Sequence, residues 1–191
     1  MIVHGIPNGR RLQEGDIFSA DLGLILDGWH ADRAYTYPVG EIDPEAARLL
    51  EVTEKSLEAA IQQCRPGARL SDVSHAVQTV AEAAGFSVVR EYAGHQIGRE
   101  MHEPPHVPNL APEGPGRGMA LDVGIVLAIE PMLTLGSPDV TELDDGWTVV
   151  TLDGSPAAHW EHTVAVTAQG PWVLTALDGG PWVSGAGAAQ P

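Results

Sequence analysis

Four acids sit inside segments that are otherwise apolar and β-rich. Asp21 and Asp32 lie in GDIFSADLGLILDGWHADRAYTYPVG (15–40), Glu130 in GIVLAIEPM (124–132) and Glu161 in AHWEHTVAV (158–166). A carboxylate buried in such surroundings costs several kcal/mol unless it is paired or bound to a metal. The Asp27-Gly28 pair between two apolar runs signals a hairpin with a type I′ turn. A turn centred there sets Asp21 opposite Ala34 and makes Asp21 and Asp32 diagonal neighbours on one face. Like charges held that close repel unless a cation lies between them or one keeps its proton. For the ribbon alone, an exposed acidic face is the simpler explanation. The recurrence of the pattern at Glu130 (on the face of Val126 and Ala128) and Glu161 (on the face of Thr163 and Ala165) shifts the balance. Four acids on four strands, with His95 of YAGHQIG just after a strand, make a carboxylate-rich set with one imidazole. Such a set suits Mn, Fe, Co or Zn better than a structural zinc. Bridging acids of this kind hold two metals ~3.5–4 Å apart, which activate a shared water.

Other signals weaken on inspection. His102-Glu103-Pro104-Pro105-His106 matches H-E-x-x-H, but that motif needs a helix, and two adjacent prolines forbid one. Strand alternation points His162 to the face opposite Glu161, toward packing. His30, His75, His106 and His159 show no partner pattern and read as packed or solvated. No Gly-x-Ser-x-Gly elbow or phosphate-cradling glycine loop is present, and Cys64 near a helix end reads as packing.

The elements that must position these residues follow from periodicity and breakers. After the hairpin, Asp43 as N-cap and Pro44 in the first turn open a helix that Pro66-Gly67 stops. A second helix runs from about Ser71 to Ala84 and ends at Gly85. The segments 86–92, 124–132, 146–152, 158–166 and 171–175 read as strands, and 93–118 as a long Gly/Pro-rich loop. The expectation is an α+β domain with mostly antiparallel pairing. It occupies 1–177, and 178–191 forms a Gly/Ala-rich flexible tail.

Composition narrows the function classes. The 191 residues are 43% hydrophobic, and no apolar run approaches the ~18 residues that would span a bilayer. No secretory leader is visible, so neither a membrane protein nor a secreted precursor is expected. The net charge of −16 disfavours binding to nucleic acid or anionic lipid. The single Cys64 fits a reducing, cytoplasmic setting.

Taken together, HGIPNG (4–9), the 15–40 segment, FSVVREYAGHQIGREMHEPPHV (86–107), GIVLAIEPM, DGWTVVT (145–151) and WEHTVAVT (160–167) resemble type I methionine aminopeptidase. The likeness is ordered and continuous from Val3 to about Thr175. It implies a pita-bread sandwich of mostly antiparallel strands with helices packed on its outer face. It also implies removal of the initiator methionine from nascent polypeptides at the ribosome, by a cytoplasmic monomer. The absence of an insert of several dozen residues between His95 and Glu161 favours type I over type II.

The resemblance also implies roles. Asp21 would chelate one metal, Asp32 and Glu161 would bridge two, and His95 and Glu130 would complete the second, with Glu130 moving the proton of the bridging water. His4 would contact substrate near the scissile amide, His102 would stabilise the tetrahedral intermediate, and Trp147 would wall the methionine pocket. The cofactor would be two divalent ions: Co, Mn, Fe or Zn. Met101 stands where many members carry phenylalanine in the pocket, and Gln96 where a glycine is common. The family carries several dozen residues before HGIP, where this sequence has Met1-Ile2-Val3, so an N-terminally truncated catalytic domain is expected. Alternatives within reach of the same residues are an X-Pro aminopeptidase or prolidase, and an inactive or non-catalytic binding homologue.

Overall fold

The computed structural model describes residues 1–177; the expected tail at 178–191 lies outside them. Strands β1 (Ile17–Leu26) and β2 (Trp29–Pro38) form the hairpin in the expected register, Asp21 opposite Ala34. Asp27 and Gly28 both take positive φ (52° and 76°), as a type I′ turn requires. β2 buries Ala34 and Thr36 against the rest of the molecule, whereas β1 leaves Leu22, Leu24, Ile25 and Leu26 exposed.

Helix α1 (Pro44–Ile61) starts where Asp43 accepts a hydrogen bond from the Glu45 amide (2.8 Å), and Pro44 occupies its first turn. It buries Leu49, Leu57, Ala60 and Ile61. Helix α2 (Leu70–Ala83) buries Val73, Val77 and Ala81 and packs beside α1. The ten remaining strands are short. They are β3 (Ser87–Val88), β4 (Ala93–Gln96), β5 (Glu103–Pro108), β6 (Val126–Ile129), β7 (Met132–Thr134), β8 (Val140–Glu142), β9 (Val149–Thr151), β10 (Ala157–His159), β11 (His162–Thr167) and β12 (Gly170–Val173). They build a five-stranded sheet in the order β12-β11-β6-β4-β5, a three-stranded sheet β10-β7-β3 and the ribbon β8-β9. Every pairing between named strands is antiparallel, and α1 lies across β6, β7 and β10. The architecture is the expected α+β.

Three expectations need correction. The expected strand 86–92 shrinks to Ser87–Val88. The expected loop 93–118 contains β4 and β5; Pro104 and Pro105 fit because they occupy a bulge of this outermost strand, between the Gln96–Glu103 and His95–His106 pairs, where no ladder bond needs their amides. The expected strands 124–132 and 158–166 are each broken in two. β6 belongs to the large sheet and β7 to the small one; β10 belongs to the small sheet and β11 to the large one. Glu130 and Glu161 therefore sit at the two crossovers rather than within strands, where the backbone leaves one sheet for the other.

A candidate metal centre

Each acid is held by backbone contacts that fix its position. The Thr163 hydroxyl of β11 accepts from the Asp32 amide and donates to the Asp32 carbonyl, both at 2.8 Å. The Glu161 amide donates to Ala34 O of β2 (2.9 Å), stitching the β10–β11 crossover to the hairpin. The buried Asn109 amide donates to Glu130 O (3.0 Å), and the Trp160 amide donates to Pro131 O (3.3 Å), joining the two crossovers. His95 on β4 pairs with Ala128 of β6 on one side and His106 of β5 on the other.

These supports bring together groups far apart in the sequence. Potential ligand atoms of Asp32, His95 and Glu161 all lie within 4.8 Å of one another. Glu130 Oε1 is 3.6 Å from His95 Nε2. Asp21 is solvent-accessible on β1, close enough to feel the charges of Asp32 and Glu130. Glu161 is 2% exposed and Glu130 8%. Burial, reinforced by the charges of Asp32 and Glu130, raises the Asp21 carboxyl from 3.8 to about 6. Burial, then the charges of Glu130, Asp32 and Asp21, pushes Glu161 well above the usual carboxylate range. Both shifts favour the protonated form, and a cation among the acids would relieve the same repulsion.

The donor chemistry fits a cation. His95 Nδ1 lies 3.0 Å from Gln96 O, and a carbonyl only accepts, so Nδ1 carries the hydrogen and Nε2 presents a lone pair. That lone pair faces Glu130 Oε1, another acceptor. Their spacing resembles that of two ligands on one ion, about 3.4 Å for ~2.1 Å bonds at a tetrahedral angle. Glu161 Oε1 is buried with no hydrogen-bond partner. A site this rich in acceptors suits a metal ion better than a neutral ligand.

The remaining expected residues line the approach to these acids. His4 stacks on Trp147 (centroids 4.3 Å apart, planes 18°) and meets Tyr92 edge-on. Burial lowers the His4 pKa from 6.5. Trp147 is placed by Asp145, which accepts from the Trp147 and Thr148 amides and the Thr148 hydroxyl. His102 packs against the His95 ring at 4.3 Å. Met101 lies against β1 at Gly23, where an added Cβ would come within 2.4 Å of Met101 Cε. The loop carrying both is pinned twice. Glu103 accepts from the Arg99 and Glu100 amides and from Gln96 Nε2, while the Arg99 guanidinium covers the Trp29 ring (3.8 Å). Gln96 thus spends its amide on Glu103.

Residues set aside on sequence grounds stay apart from the acids, with one exception. His106 is exposed on β5. His162 bonds Thr175 Oγ1 (2.8 Å), with its pKa lowered to about 4, chiefly by burial. Cys64 is buried, its thiol pushed up to about 12 by burial. His159 is the exception: its Nε2 lies 3.6 Å from Glu130 Oε2. Asn109 and Thr163 were also missed as supports. For His159 a signal existed, because period-two alternation puts residues 159 and 161 on one face.

Comparison with known proteins gives the family. Residues 1–168 match the family model of metallopeptidase family M24. Methionine aminopeptidase 1 of Bacillus subtilis is 53% identical over 174 residues, 91% of this chain and 69% of that protein. Methionine aminopeptidase 1 of Mycobacterium tuberculosis is 52% identical over 182 residues, 91% of this chain and 67% of the relative. Among solved structures, the methionine aminopeptidase of Rickettsia prowazekii superimposes with a TM-score of 0.88 at 41% identity, covering 91% of this chain and 70% of that one. That of Thermotoga maritima gives 0.83 at 48% identity, covering 85% and 65%. The chain thus spans about two thirds of these relatives. A prolidase of Pyrococcus furiosus, 21% identical with a TM-score of 0.71, shares the fold. Among the described residues no helix is long and apolar enough to cross a membrane.

Proposed function

The chain belongs to metallopeptidase family M24, as a pita-bread homologue of the methionine aminopeptidases, and on that premise we propose that it removes the initiator methionine from nascent polypeptides. The observation that carries this reading is the convergence of four acids and one imidazole at two sheet crossovers and a hairpin. Asp21 would hold one divalent cation, Asp32 and Glu161 would bridge it to a second, and His95 with Glu130 would complete that second position. Ions bound there supply Lewis acidity that activates water and polarises the scissile carbonyl; Co, Mn, Fe and Zn all suit the donor set.

The remaining steps belong to the chain's own side chains. Glu130 takes a proton from the attacking water and returns it to the leaving amine, the general acid–base role its position beside His95 suits. His4, held below its ordinary pKa by burial, stays neutral near pH 7 and offers an N–H to the substrate near the scissile amide. His102, packed on His95, donates to the oxyanion as it develops. Trp147 and Met101 form the apolar wall against which the methionine side chain rests. This domain spans 1–177, working as a monomer in the cytoplasm on chains emerging from the ribosome. The net charge of −16 keeps it off nucleic acid.

The test is release of the first residue from Met-Ala-Ser and from an X-Pro tripeptide, with Mn or Co added to metal-depleted chain. The expected result is metal-dependent release of methionine from the former and negligible cleavage of the latter. Preferential cleavage of the X-Pro bond would instead make it a prolidase-like enzyme. Metal uptake without hydrolysis of either would make it a binding homologue.

A further inference from the structure

His159 ends β10 one residue before the crossover and is 1% exposed. Its backbone cannot shift easily. The His159 amide donates to Thr36 Oγ1 and the Thr36 hydroxyl donates back to His159 O, both at 2.9 Å. Across the strand it pairs with Met132 of β7. Yet neither ring nitrogen has a hydrogen-bond partner, an expensive omission for a fully buried imidazole. The ring is aimed at the acids. Its Nε2 lies 3.6 Å from Glu130 Oε2.

Glu130 is therefore flanked by two imidazoles, each 3.6 Å from a different carboxylate oxygen. The two rings are not equivalent. His95 spends its Nδ1 hydrogen on Gln96 O and turns a lone pair to Oε1. His159 has no such commitment, so its Nε2 is free to carry a hydrogen toward Oε2. At 3.6 Å this is an approach rather than a hydrogen bond. Contacts of this sort in ligand-free sites tighten when the site is loaded. With the ring locked by β2 and β7, the carboxylate is the partner that moves.

We propose that His159 is a further positioning residue of the metal centre, donating from Nε2 to Glu130 Oε2 and so leaving Oε1 to face the cation beside His95. This rests on the metal-centre reading above. A donor behind a ligating carboxylate fixes its rotation, and losing such a support costs about 10–100-fold in metal affinity or activity.

The experiment titrates metal-depleted full chain with CoCl2 and MnCl2, reading calorimetric affinity and the visible absorption of Co(II), alongside kcat and KM for Met-Ala-Ser. His159→Leu keeps the volume and removes the donor; His159→Gln keeps a donor of similar reach; His159→Asn shortens it. The expected result for His159→Leu is about 10–100-fold weaker binding at one of the two equivalents, with shifted Co(II) bands. Its kcat should fall while KM stays near wild type, and His159→Gln should recover most of the loss. Wild-type affinity and spectrum in His159→Leu would overturn the proposal. If His159→Leu does not fold, the Gln and Asn variants decide: weakening in Asn alone supports the proposal, and equal affinities overturn it. A wild-type chain that takes up neither metal would overturn the metal-centre reading itself, whereas normal uptake by all variants removes only the role of His159.

Discussion

The acids and the wall above them are built on different principles. Asp32, Glu130 and Glu161 are fixed through their own backbones, by Thr163, Asn109 and Ala34, and Glu130 and Glu161 are buried there. His102, Met101 and Trp147 ride on loops held by surface contacts: an Asp145 turn, the Glu103 clamp and Arg99 on Trp29. Trp147 remains 49% exposed. Groups that converge on an ion must hold their geometry to within about 0.5 Å, and rigid elements do that better than loops. A wall that admits and releases a peptide needs the reverse, and low local stability is where such motion resides. On the proposed function, the difference separates a floor that would bind metal from a wall that would read substrate.

The account makes that separation measurable. Asp32→Asn attacks the floor and should have the largest effect. Metal uptake should fail, and methionine release should drop at least about 10³-fold, since several kcal/mol of Lewis-acid stabilisation are lost at ~1.4 kcal/mol per tenfold. Full retention of metal and activity would show that the acids are not a metal floor. His102→Ala attacks the wall at its contact with the floor. A drop of about 10²-fold in kcat is expected with metal affinity unchanged; parallel loss of metal would place His102 in the floor.

Asp21 tests whether proton and cation exchange places. In the metal-free chain its raised pKa means that the folded state holds the proton more tightly than the unfolded state. Its contribution to stability is then full below pH 3.8 and lost as pH rises through about 6. Metal-free Asp21→Asn should therefore gain stability relative to wild type between pH 4 and 7 in urea melts. Saturating Mn should reverse that advantage, because the cation restores a partner to the wild-type carboxylate only. Trp147→Ala should do least, raising KM about 2–10-fold through lost stacking on His4 and lost pocket area, with kcat and metal content unchanged.

Much of this was legible before the structure. The Asp27-Gly28 pair set the hairpin register, and through it the pairing of Asp21 with Ala34, because a two-residue turn leaves no freedom. Asp43 and Pro44 marked the start of α1. The unusual chemistry of acids in apolar runs pointed to the floor without any tertiary information. The crossovers were not legible. Glu130-Pro131 and Trp160-Glu161 stand at them, but an acid flanked by apolar residues reads equally as a ligand on one continuous strand, and only the pairing shows the change of sheet. The prolines of β5 misled because only the register against β4, which places them in a bulge of the outermost strand, makes them acceptable. The stack of His4 on Trp147 joins two loops distant in sequence, a contact no local pattern records.

The four acids and His95 are proposed to form a floor for two cations. Calorimetric titration of the metal-depleted 191-residue chain with MnCl2, run beside methionine release from Met-Ala-Ser, tests it most directly. The expected result is uptake of two equivalents, with release rising as they bind and saturating at the second. Methionine release from chain that binds no metal, or uptake confined to exposed acids that Asp32→Asn leaves untouched, would contradict it.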